Sequence, residues 1–99
     1  MLHIVNKSPF ATNTLDTCLR MAQAGHAVLL IEDGVYAATQ GNAMSERMRQ
    51  AATKLNLFVL QPDLDARGMT AKLQDGITPV DYAGFVDLVE QYPASQSWL

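Results

Sequence analysis

Two short runs of large apolar residues constrain this chain more than any other feature: Val28-Leu29-Leu30-Ile31 and Leu57-Phe58-Val59-Leu60. A strand with one face in water alternates apolar and polar residues. A strand that is apolar at every position has both faces covered, as in a parallel sheet enclosed by helices. Neither run can cross a bilayer, and the longest apolar stretch, Ala27 to Ile31, is far too short for that.

The rest of the chain supplies the helices and further strands such a sheet needs. Leu2 to Val5 reads as a first strand, ended by Asn6-Lys7-Ser8-Pro9, where Pro9 disfavours helix at Ser8. Asn13 offers an N-cap, with Asp16 as its capping-box partner, and Leu15, Cys18, Leu19 and Ala22 form one helical face. Gly25 supplies the left-handed position that closes this helix. Val35 to Gln40 makes a short helix stopped by Gly41. Ser45 caps another, with Met48, Ala51, Ala52 and Leu55 inward. Pro62 to Gly68 reads as a short helix with proline near its first turn and glycine at its end. Gly76 to Val80 is a fourth strand, and Pro79 places it at an edge or an end. Asp81 caps a last helix carrying Tyr82, Phe85, Val86 and Val89, which Pro93 terminates. The tail, Ala94 to Leu99, is polar apart from Trp98 and Leu99.

Alternation of this kind predicts one α/β domain over residues 1–99. Its expected form is a three-layer α/β/α sandwich with a mainly parallel sheet and right-handed crossovers. Only 17% of the 99 residues are charged and 48% are hydrophobic, so a domain this small is expected to reserve surface for partner subunits. The net charge of −3 and the scatter of basic residues argue against direct nucleic-acid binding. The one basic cluster, Arg47 to Lys54, includes Arg49 and sits beside Glu46, as a solvated helix face does. Met1 to Val5 carries no basic export signal, which points to the cytoplasm and to a reduced cysteine.

That cysteine, Cys18, is the sole thiol, so an internal disulfide and a zinc site built on several cysteines are excluded. It lies on the apolar face of its helix, away from the N-terminal turn. Two roles stand open: a small hydrophobe filling the core, or a sulfur-handling thiol working with a second thiol from another chain. His3 and His26 have no metal-ligand spacing with Cys18, and neither a metal nor a cofactor is expected. Ligands of open parallel sheets gather beyond the carboxyl ends of the strands, here Asn6 to Phe10, Glu32 to Tyr36 and Gln61 to Asp65. Asp33-Gly34 there is either a simple helix start or an anion site, though one glycine is no dinucleotide fingerprint. Glu32 and Asp33 point to opposite faces and make a poor acid–base pair. Trp98 either folds back onto its own domain or anchors an interface.

Several ordered segments resemble the DsrH/TusB family of sulfur-relay proteins. They are Asn6-Lys7-Ser8-Pro9-Phe10, Leu29 through Ala38, Leu60 through Gly68, Val80 through Leu88, and the near-terminal Trp98. The resemblance covers essentially the whole chain and leans toward DsrH, whose members resemble it in having a cysteine at the place of Cys18. It implies a heterohexamer with DsrE/TusD-like and DsrF/TusC-like subunits, two copies of each chain. Such a complex passes sulfur as a cysteine persulfide to a DsrC/TusE-like carrier. The endpoint is 2-thiolation of the tRNA wobble uridine in one branch and oxidation of stored sulfur in the other. The principal persulfide cysteine belongs to the DsrE/TusD-like subunit, which leaves this chain accessory. Two other readings remain: a self-sufficient persulfide carrier acting through Cys18, and a small anion- or nucleotide-binding module.

Overall fold

The computed structural model describes residues 1–98, so Leu99 lies outside the described residues. Five parallel strands form one sheet in the order β4-β3-β2-β1-β5: β1 Leu2–Val5, β2 Ala27–Leu30, β3 Asn56–Leu60, β4 Ile77–Val80 and β5 Ser95–Trp98. The helices are α1 Thr14–Met21, α2 Ser45–Ala51, α3 Gln61–Ala66 and α4 Tyr82–Gln91, with 3-10 segments at Glu32–Ala38 and Thr70–Lys72.

The expected three-layer sandwich is present, and its two outer layers are unequal. Val5, Val28, Leu30, Leu57, Val59 and Ile77 face one side, where they meet Leu15, Cys18 and Leu19 of α1, Val35 and Ala37, Met48 of α2 and Leu64 of α3. Leu2, Ala27 and Leu29 face the other side, where Leu88 and Phe85 of α4 provide the helical cover. This asymmetry follows from the strand order. From β1 to β4 the chain steps one way across the sheet, so a constant crossover hand keeps those connections on one face. The step from β4 back to β5 runs the opposite way and places α4 on the other face.

β4 is an outer strand, as Pro79 requires, since proline has no N–H to donate to a further neighbour. The polar tail provides the other edge: β5 pairs with β1 through Leu2↔Ser95, His3↔Gln96, Ile4↔Ser97 and Val5↔Trp98.

The helix ends follow local chemistry, in part as expected. Asp81 caps α4 by accepting the Gly84 N–H at 2.8 Å. Gly68, at φ +68°, closes α3: its N–H goes to Asp65 O and the Met69 N–H to Leu64 O, the paired bonds of a Schellman ending. The proposed Asn13–Asp16 capping box does not form. Asn13 makes no side-chain cap, and Asp16 instead pairs with Arg20 at 3.4 Å and Arg47 at 3.2 Å. Two cations outcompete one backbone N–H for that carboxylate. Gly25 does not cap α1 either; the helix has ended at Met21 with Ala22 extended, and Gly25 belongs to the turn into β2. Ser45 opens α2 as its first residue, while Asn42 Oδ1 accepts the Met44 N–H at 2.8 Å.

Candidate functional site

Cys18 stands on α1 where its face meets the sheet, between Leu15 and Leu19, and is fully buried. Loss of hydration disfavours the thiolate and pushes the thiol up to about 12. Arg20 does not relieve this, because it lies on another face and pairs with Asp16. In this fold the thiol is buried and its ionisation is disfavoured.

The carboxyl ends of β1, β2 and β3 do converge, and they bond to one another. Glu32 follows β2 with φ +50°, an unusual conformation for a residue with a side chain. Its N–H donates to Asp63 Oδ2 at 2.7 Å, and its carboxylate accepts Asn6 Nδ2 at 3.2 Å. Asp33 is paired with Arg67 at 3.0 Å. The Gly34 N–H donates to Ile31 O at 2.9 Å. The Asp63 carboxylate thus occupies one of the N–H groups that opens this turn. Gly34 itself has a packing reason: a Cβ there would stand 2.5 Å from the carbonyl oxygen of Val5. Among the described residues, no three histidine, cysteine, aspartate or glutamate side chains cluster as a metal site. No helix among them is long and apolar enough to cross a membrane.

The two histidines meet, which their sequence positions did not suggest. His3 Nε2 lies 3.0 Å from His26 Nδ1, and the Trp98 indole N–H donates to His3 Nδ1 at 3.1 Å. Trp98 thus folds back: it is half-buried and packs against the larger core cluster. An exposed apolar patch lies elsewhere. Tyr82, Val86 and Val89 line the outer side of α4, 62%, 56% and 46% exposed, and Phe85 and Glu90 complete the patch. Sequence periodicity placed all four apolar residues on this helix but could not separate its inner face from its outer one, because both are apolar. Leu88, which the helical pattern left out, is the residue that enters the core.

A parallel five-stranded sheet with helices on both faces, one of them thinly covered, defines a small three-layer α/β domain. The Escherichia coli YchN protein has the same fold, with a TM-score of 0.78 at 19% identity over 97% of both chains. A Methanobacterium thermoautotrophicum protein of unknown function gives 0.74 at 16%, over 97% of this chain and 95% of its own. Sequence relationships are more specific. The family model described as DsrH like protein matches residues 7–95. Protein TusB of Pectobacterium parmentieri is 39% identical over 98 residues, 99% of this chain and 100% of that protein. Protein TusB of Escherichia coli O1:K1 / APEC is 38% identical over the same span. The chain belongs to the DsrH/TusB family.

Proposed function

We propose that this chain is an accessory subunit of a cytoplasmic, heterohexameric sulfurtransferase. Its partners are DsrE/TusD-like and DsrF/TusC-like chains, and the complex relays persulfide sulfur to a DsrC/TusE-like carrier. The observation that carries this reading is the full-length family relationship joined to a sole thiol closed inside the core. A persulfide forms when a thiolate attacks the outer sulfur of a donor, so the acceptor must ionise and be reachable. Cys18 is neither in this fold. The chain is therefore better suited to building a sheltered interface than to carrying sulfur. The apolar outer side of α4 supports this, since a patch of that kind is normally covered in the working state.

The TusB relatives support tRNA wobble-uridine 2-thiolation as the endpoint. Cys18 supports the alternative endpoint, sulfur oxidation, because a cysteine at this place resembles the DsrH-type members.

The test is a sulfur-loading experiment on the assembled complex, read by intact mass of each chain. Added sulfur is expected on a partner chain and absent from this one, with Cys18→Ala transferring sulfur at the wild-type rate within a factor of about 2. Sulfur on Cys18 during turnover, or loss of transfer in Cys18→Ala, would overturn the accessory assignment.

A further inference from the structure

We propose that β5 is a latch released by acid, held by a chain of hydrogen bonds through Trp98, His3 and His26. The bonds fix every proton in the chain. An indole N–H can only donate, so His3 Nδ1, 3.1 Å away, is a bare acceptor. Neutral His3 therefore carries its proton on Nε2 and donates it to His26 Nδ1 at 3.0 Å. The backbone N–H of Gln23 also donates to His26 Nδ1, at 3.2 Å. His26 thus keeps its own proton on Nε2. One arrangement of protons satisfies all four groups, and it requires both rings to be neutral.

Adding a proton breaks the chain at a defined place. On His3 it must go to Nδ1, where it faces the indole N–H head-on. On His26 it must go to Nδ1, where it faces two donors. Among the described residues no surrounding group compensates. The charges acting on the pair are the Met1 amino terminus and Lys54, both cationic. On α1, the Asp16 carboxylate is engaged by both Arg20 and Arg47. On the α4 side, the Tyr92 hydroxyl lies against Asn56, and β5 brings only the uncharged indole. Burial of His3, together with the neighbouring His26, lowers its pKa below the ordinary 6.5. His26 is lowered as well, by loss of hydration and by the two cations.

The sign follows from linkage. A released strand frees His3 Nδ1 to accept a proton, while the docked strand holds that ring neutral to lower pH. Above about 6.5 the docked form is fully favoured. As pH falls below that value the released form takes up that proton first. The ratio of released to docked strand then rises by up to about tenfold per pH unit for the one proton gained on His3, until the docked His3 also titrates. β5 is the element that can leave. It is an outer strand bonded to β1 alone, Ser95, Gln96 and Ser97 are exposed, and Trp98 is its one inward anchor.

Amide hydrogen exchange between pH 7.5 and 5, corrected for the intrinsic pH dependence of exchange, tests this. Residues 95–98 should exchange faster below about pH 6.5 while β2 and β3 keep their protection. A His3→Phe, His26→Gln double variant should abolish the pH dependence. Trp98→Phe, which keeps the ring but has no opposing N–H, should flatten it. Exchange of β5 that does not vary with pH, loss of β2 and β3 protection at the same pH, or an unchanged transition in the double variant would each overturn the latch.

Discussion

The indole N–H of Trp98 donates to Nδ1 of His3, 95 residues earlier in the chain, so the last strand is fastened to the first through side chains as well as through the sheet. Removing that ring should cost stability without undoing the fold. Full burial of a tryptophan makes its replacement by alanine cost about 3–5 kcal/mol. Trp98 is half-buried, so Trp98→Ala is expected to cost about 2 kcal/mol in urea unfolding followed by circular dichroism. A loss under about 0.5 kcal/mol would show that the tail contributes nothing to the domain.

Gly34 and Glu32 make a contrasting pair at the end of β2. Gly34→Ala sets a methyl 2.5 Å from a backbone carbonyl that cannot step aside, so a loss of about 3 kcal/mol is expected. Glu32→Gly gives up one exposed hydrogen bond to Asn6 and relieves the left-handed backbone. Relief of that conformation is worth about 1 kcal/mol. Glu32→Gly should therefore leave the unfolding free energy unchanged or raise it by up to about 1 kcal/mol. Thermal unfolding of the two variants side by side reads both effects.

Cys18 should be inert toward thiol reagents in the folded chain. With its thiol pushed up to about 12, only roughly one molecule in ten thousand holds a thiolate at pH 8, and burial blocks the approach of the reagent. Alkylation should proceed at the rate of unfolding and become fast in urea. Cys18→Ala should cost about 1 kcal/mol through lost packing. Cys18→Ser should cost about 1–3 kcal/mol, because it buries a hydroxyl. Rapid labelling in buffer would show that α1 opens readily.

Much of this architecture was legible in the residues because burial leaves a mark on the sequence. β2 and β3 are covered on both faces, and their unbroken apolar runs say so. The face of α1 emerged as Leu15, Cys18, Leu19 and Ala22, all buried. β5 was missed for the converse reason. It pairs along one edge only, its first three residues face water, and Ser-Gln-Ser has no strand pattern. The signals that could have found it were Trp98 and the buried His3, a polar ring in a strand that needed a partner. The short helix expected over Val35 to Gln40 instead spans Glu32–Ala38 and is 3-10. The convergence of His3 with His26 could not be read from their spacing, because it depends on the parallel register of β1 and β2.

The outer side of α4 should govern assembly and not folding. Val86 is 56% exposed and its side chain is not part of either core cluster, so Val86→Glu is expected to shift the unfolding free energy by less than about 0.5 kcal/mol. The same change would bury an unpaired charge in any interface that covers this helix, at a cost of several kcal/mol. Co-expressed with its sister chains, Val86→Glu should therefore be lost from the complex while remaining folded. A variant that assembles as well as wild type would move the interface to another face.

The most direct test of the accessory-subunit account is the native mass of this chain co-expressed with its DsrE/TusD-like and DsrF/TusC-like relatives. The account predicts one species that holds two copies of each of the three chains. Recovery of this chain as a free monomer, beside a complex made by the other two alone, would contradict it.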